Sequence, residues 1–355
     1  MVRRETLEQI ADRLEPSARK AFLDSIDQIK ADAQIGQIIR ALESNDIERA
    51  LGFLNIDRAH FAPLERSLRN AFEESGDAVT SALMAQAKNA GVQVRGVFDA
   101  SNPRAQRFVE EQSSRLITEI TEDMRDGARN LMTRNMAAQT APRTTALDLV
   151  GRVNRTTGKR QGGIIGLHSG DAEAAQSALR ELRSGPDTDE GQRALRNYLA
   201  RETRDKRFDG TVRKALRDGK SVPADKAQKM IVGMENKMLR NRGERIARTE
   251  LLSSTNAAQN EALDQMIDDG KVRRENVKNK WDTSTDGFER DSHAAIDGDV
   301  KMKGEAFITG AGFRLLHPGD RSQGAPASEI INCRCTLRPD INWAAEAAAQ
   351  ERELA

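Results

Sequence analysis

Cysteine is almost missing from this chain of 355 residues; the two present are Cys333 and Cys335. Two thiols so close together cannot be the disulfide framework of a secreted domain. Aromatic residues are only 4% of the chain, which disfavours a thick sandwich core or an aromatic-lined ligand pocket. An excess of one charge is also lacking. Lys plus Arg is 56, Asp plus Glu is 55, and the formal net charge is +1. Any attraction to nucleic acid or membrane must therefore come from local patches. No stretch approaches the roughly 20 apolar residues of a membrane span. The opening MVRRETLEQIADRLEP is charged and amphipathic, without the apolar run of a signal peptide. The expectation is a soluble protein made in a reducing cytoplasm.

Strong helix formers are abundant. Leu7, Ile10, Ala11 and Leu14 fall at helical spacing, and Pro16 is expected to punctuate. Ile35, Ile38, Ile39 and Leu42 repeat the spacing. Ser44-Asn45-Asp46 offers an N-cap for a turn carrying Ile47, Leu51 and Leu54. Phe61, Leu64, Leu68 and Phe72 continue the pattern. After a break at 91–101, Asn102-Pro103 is a helix start, and a helix of roughly 45 Å runs on to about Asn135. Residues 139–170 read as a surface loop or hairpin. Their Gly158-Lys159 lacks the spacing of a phosphate loop. Helical spacing returns at Ala175, Ala178, Leu179 and Leu182, and again from about Ala224 to Asp269 with Met230, Met234 and Met238 in its core.

Residues 193–220 carry ten Lys or Arg against four acids, a local net of +6. Such a patch could meet DNA phosphates without reading sequence, and the candidate contacts are Arg201, Arg204, Arg207, Arg213 and Lys214. A solvated helix face is the plainer alternative. Beyond Gly270 short apolar pieces (300–302, 306–308, 314–316, 336–337) alternate with glycine and proline, as in a small domain of short strands anchored by Trp281. A helix over 343–354 closes the chain. The fold expected is mostly α: an elongated helical N-terminal and middle region with a small α+β C-terminal domain. The divisions are 1–90, 91–240, 241–342 and 343–355.

His293, His317, Cys333 and Cys335 gather in the last fifth of the sequence. Two thiolates and two imidazoles would satisfy a structural zinc ion, though Cys-x-Cys is tighter than the usual spacing. A Cys-His nucleophile would need an orienting group and an oxyanion hole that no motif marks. Alternatively the histidines hydrogen-bond loop backbone and the cysteines are small buried hydrophobes. Asp286, Asp291 and Asp297 could suggest nuclease carboxylates, but aspartate in turn-rich sequence more often closes loops.

The order of motifs in this region resembles a known family. Ile246-Ala247-Arg248-Thr249-Glu250, with Asn256 and Asn260, is followed by Trp281 and Thr283. Arg290, His293 and Asp297-Gly298 come next, then Asn332-Cys333-Arg334-Cys335-Thr336. Over about 240–340 this is similar to the phage Mu F-like minor head, or head-morphogenesis, proteins. The family-motif positions are Arg248, Glu250, Trp281, Arg290, His293, Gly298, Cys333 and Cys335. The resemblance implies a non-enzymatic minor head protein of a tailed bacteriophage, in the head interior or at the portal vertex. It implies as partners the portal protein, the major capsid protein or scaffold, and packaged double-stranded DNA, with no membrane in the assembled head. A DNA-ejection protein leaving with the genome is the alternative.

Overall fold

The computed structural model describes residues 6–284 and 287–354. Along the chain the elements are α1 (Leu7–Asp32), α2 (Ile35–Glu43), α3 (Ile47–Gly52), α4 (Ala62–Asn89), α5 (Pro103–Ala137) and α6 (Pro142–Val150). A short hairpin of β1 (Arg152–Val153) and β2 (Arg160–Gln161) precedes α7 (Ser169–Arg183), α8 (Asp189–Ala200), α9 (Asp209–Asp218) and the long α10 (Ala224–Asp268). The last part holds β3 (Val277–Asp282), α11 (Asp291–Ala294), β4 (Val300–Met302), β5 (Phe307–Ile308), β6 (Arg314–Leu315), α12 (Ala327–Ile330), β7 (Thr336–Ile341) and α13 (Trp343–Leu354). The chain is mostly helical, with its small antiparallel sheets concentrated near the C-terminus.

Local chemistry accounts for most of these boundaries. Asp46 caps α3 by accepting from the Arg49 amide at 2.9 Å. Asn102 accepts from the Arg104 amide at 2.9 Å, and Pro103 takes the first position of α5, where its missing N–H costs nothing. Pro16 does not punctuate: it lies inside α1. The ring removes one backbone donor, yet the buried stripe of Ile10, Ala11, Ala18, Phe22, Ile26 and Ile29 continues on both sides. Packing of that stripe outweighs a single lost hydrogen bond.

The chain falls into two compact units, each built from separated stretches. One comprises the described residues of Met1–Arg19, Leu64–Ser114 and Glu244–Ala355; the other comprises Lys20–Pro63 and Arg115–Gly243. In the first unit, Phe72 of α4 packs on Phe98 and Phe108, with ring centroids 5.7 and 5.4 Å away. Ala258, Leu263, Met266, Val277 and Ile341 join that core. The sheet order is β4-β3-β7, all antiparallel. Val277, Asn279 and Trp281 alternate inward along the central strand, as period-two geometry requires. Trp281 pairs with Leu337 across the ladder. Pro339 sits within β7, which tolerates a missing amide because it is an edge strand.

In the second unit the stretch 139–170 does hold a hairpin, β1–β2, but it is not surface loop on either side of it. Residues 142–150 form α6, which starts on Pro142. The segment after the β1–β2 hairpin is interior: Ile164, Ile165 and Leu167 are buried. Gly162 and Gly163 adopt left-handed backbone, φ +71° and +78°. Their peptide groups meet two buried ions. Lys30 Nζ donates to the Gly162 carbonyl at 2.8 Å, and the Gly163 amide donates to Glu235 Oε2 at 2.8 Å.

Candidate metal centre

His293 enters on the one-turn helix α11, and Cys333 and Cys335 sit in the turn between α12 and β7. Asn332, at φ +57°, turns the chain there, and its amide donates to Thr249 Oγ1 at 3.0 Å. Both sulfurs approach one ring nitrogen. Cys333 Sγ lies 3.5 Å and Cys335 Sγ 3.4 Å from His293 Nδ1. His293, Cys333 and Cys335 are all buried, and their donor atoms lie within 4.8 Å of one another. The other ring nitrogen, Nε2, is 3.1 Å from Glu329 Oε2, and Ser292 Oγ donates to both oxygens of that buried carboxylate. Arg290 braces the same turn by donating to the carbonyls of Glu329 and Ile331. The Trp281 ring meets the imidazole edge-on at 5.2 Å and packs on Phe307 at the same distance. A hydrogen bond between the two cysteines, with His293 beside it, holds the Cys333 thiol well below its ordinary value. The same bond, with burial, pushes Cys335 up.

His317 is not in this group. It is buried elsewhere, with Nδ1 3.0 Å from the Pro318 carbonyl oxygen, and burial lowers its pKa. The two described aspartates of the three have loop and surface places. Asp297 accepts from the amide and hydroxyl of Thr283, both at 2.9 Å, which lowers its pKa, and Asp291 opens α11 on the surface. Asp286 lies outside the described residues.

The motif on α10 acts as a clamp on this centre. Within its last half, Thr249, Ser253, Asn256 and Gln259 point side chains at the backbone of the C-terminal segment. Ser253 Oγ donates to the Gly319 carbonyl at 3.0 Å. Asn256 donates to the Cys335 carbonyl at 3.3 Å and accepts from the Leu337 amide at 3.0 Å, and Gln259 donates to the Leu337 carbonyl at 3.0 Å. A buried backbone with no strand partner on that side must find such donors and acceptors. Glu250, also buried, accepts from Gln112 at 3.0 Å and from Arg321 at 3.4 Å. Arg248 instead pairs with Glu15 and Glu244, at 3.3 and 3.1 Å, beside a pocket of about 120 Å³ that Arg334 also lines. Gly298 turns at φ +81°, and its amide closes onto the Trp281 carbonyl at 2.9 Å. Sequence spacing did not single out Glu329, Ser292, Ser253 or Gln259. Each contact joins residues far apart in the chain, so no local pattern marks it.

The basic segment is partly neutralised in place. Arg201 forks onto Glu181 at 2.7 and 2.8 Å, and Arg204 onto Asp209 at 2.9 Å through both nitrogens. These guanidinium groups are mostly covered. Arg207 pairs with Asp205 at 2.7 Å but stays exposed; Arg213 and Lys214 are exposed as well, with Arg213 3.7 Å from Asp209.

No helix among the described residues is long and apolar enough to cross a membrane. No curated protein and no solved structure matches the chain. One family model does match, described as Phage Mu protein F like protein, over residues 206–338. It reaches from the middle of the basic segment through α9, α10, β3 and β4 to Arg338 in β7, further upstream than the motifs alone indicate. The clamp on α10 and the His293–Cys333–Cys335 centre thus both lie within the one region, residues 206–338, that is similar to the Phage Mu protein F like family.

Proposed function

We propose that this protein is a minor head protein of a tailed bacteriophage that acts in head morphogenesis. The family match over residues 206–338 carries this reading. Its place in the virion is the head interior or the portal vertex, and its partners are the portal protein and the major capsid protein or scaffold. The C-terminal centre, walled by buried polar contacts, serves as a rigid module that presents a docking surface rather than a catalytic cleft. Quantitative mass spectrometry of procapsids, full heads and DNA-emptied heads tests this. Presence in all three at low copy is expected. Loss on emptying would make it an ejected protein, and absence from every particle would sink the reading.

The exposed part of 193–220 is proposed to face packaged DNA. Arg201 and Arg204 are already committed to carboxylates, so the phosphate contacts fall to Arg207, Arg213 and Lys214. Duplex binding should then weaken steeply with salt, and the double variant Arg213→Glu, Lys214→Glu should flatten the log–log salt slope by about 2. Filter binding or fluorescence anisotropy at several salt concentrations measures it. Binding that ignores salt, or no binding at low salt, would remove DNA from the list of partners.

A further inference from the structure

We propose that His293 Nδ1, Cys333 Sγ and Cys335 Sγ are three ligands of a zinc ion, with Glu329 as the carboxylate that orients the imidazole. The spacing fits the ion. Tetrahedral zinc with Zn–S of about 2.3 Å and Zn–N of about 2.05 Å sets sulfur and nitrogen about 3.6 Å apart. The two observed separations are 3.5 and 3.4 Å.

Hydrogen bonding alone serves this arrangement poorly. With Nε2–H donated to Glu329, the ring keeps one in-plane lone pair at Nδ1. Two thiols converge on that lone pair and only one S–H can use it, which leaves the other to the weak hydrogen bond between the cysteines. A metal ion satisfies all three atoms at once. The His293–Glu329 contact is the arrangement in which a metal-bound histidine donates its far N–H to a carboxylate, fixing tautomer and ring plane. Ser292 in turn fixes the carboxylate. The Trp281 indole N–H is fully buried and has no hydrogen-bond partner of ordinary geometry. It acts on the Cys335 sulfur, where a metal-bound thiolate would give it an acceptor.

Charge also balances. Binding releases two thiol protons to solvent, so a dication, two thiolates and a neutral imidazole make an uncharged centre suited to burial. A pocket of about 20 Å³, lined by the three donors with Arg290 and Asn332, offers room for a single water as fourth ligand. His317 is excluded from the ligand set, because it lies outside the group and bonds its own loop.

The test uses the full-length chain. Elemental mass spectrometry of protein purified under reducing conditions should find about one zinc per chain. The metal-free protein, titrated with cobalt(II), should develop thiolate charge-transfer bands in the near-ultraviolet and tetrahedral bands in the visible, both displaced by added zinc. Cys333→Ser and Cys335→Ser should each abolish the charge-transfer pattern of the pair. Glu329→Gln should keep the spectrum but weaken zinc binding by about 10- to 100-fold, while His317→Gln should change neither. The wild-type titration decides the matter even if a cysteine variant misfolds. No cobalt spectrum from reduced, metal-free wild-type protein, with both thiols open to a disulfide reagent, would overturn the site. Loss of the spectrum in His317→Gln with the protein still folded would overturn the ligand set.

Discussion

Gly163→Ala is expected to cost about 4 kcal/mol of stability. A Cβ there would stand 2.3 Å from the Gly151 amide nitrogen and 2.6 Å from the Leu149 carbonyl oxygen. Both are backbone atoms at the end of α6, so no rotamer change relieves the clash. The residue also holds φ +78°, which costs an L-residue about 1 kcal/mol on its own. Moving the loop to make room would pull the Gly163 amide off buried Glu235 and take away that carboxyl's hydrogen bond. Gly158→Ala is the control. It shares the left-handed backbone, φ +69°, but meets nothing within 4 Å, so it should cost only about 1 kcal/mol. Urea unfolding of the wild type and both variants measures the difference. Equal midpoints for the two variants would mean the close approach at Gly163 is relieved at no cost.

This loop shows why part of the fold escaped the sequence. Gly162-Gly163-Ile164-Ile165-Gly166 sits in a basic, turn-rich stretch, and composition there favours the surface. What reverses the outcome is Lys30 and Glu235, some 130 and 70 residues away in sequence, which supply the hydrogen bonds that a buried loop requires. Pro16 misleads for a related reason. A local rule about proline is sound, but tertiary burial of the α1 stripe decides the helix. Where structure is set locally, it was legible. The Asp46 and Asn102 caps, the α10 span and the closing helix α13 all stand close to where spacing and capping put them.

The candidate site divides the same way. The residue types at 293, 333 and 335 were conspicuous because they are rare, and the structure brings those three together. His317 is as rare, but rarity carries no distance information, and the turn at Pro318 sends it elsewhere. Glu329 and Ser292 were invisible, since a carboxylate and a hydroxyl in a loop have no signature until the imidazole they hold is located. The α10 motif was visible as a string of letters without a reason. Part of its reason is the pair of hydrogen-bonding side chains Thr249 and Asn256, which meet the Asn332 amide, the Cys335 carbonyl and the Leu337 amide around the cysteines.

The second large effect is expected from Glu235, through pH. Burial raises its pKa from 4.5 to about 7, against the opposing hydrogen bond from Gly163 and the charge of Lys30. Burial likewise lowers Lys30 from 10.5 to about 8. Asp27, Asp148 and Arg152 are the other charged groups acting on this pair. In the unfolded chain Glu235 ionises near 4.5, while the folded protein keeps the proton until about 7. The folded state therefore binds more protons through that window, and stability falls as pH rises across it, by about 3 kcal/mol. Lys30 acts in the opposite sense at higher pH. Its folded form loses the proton first, so stability recovers between about 8 and 10.5. The pair thus contributes least at pH 7 to 8. Glu235→Gln keeps an acceptor for the Gly163 amide and removes the titration. Relative to wild type it should gain about 3 kcal/mol between pH 4.5 and 7. Lys30, without its counter-charge, should then lose its proton at lower pH than in the wild type, so the alkaline recovery begins earlier. Urea unfolding across that range measures both limbs. Parallel stability curves from pH 4.5 to 7 would mean that Glu235 ionises in the fold as freely as it does in the open chain.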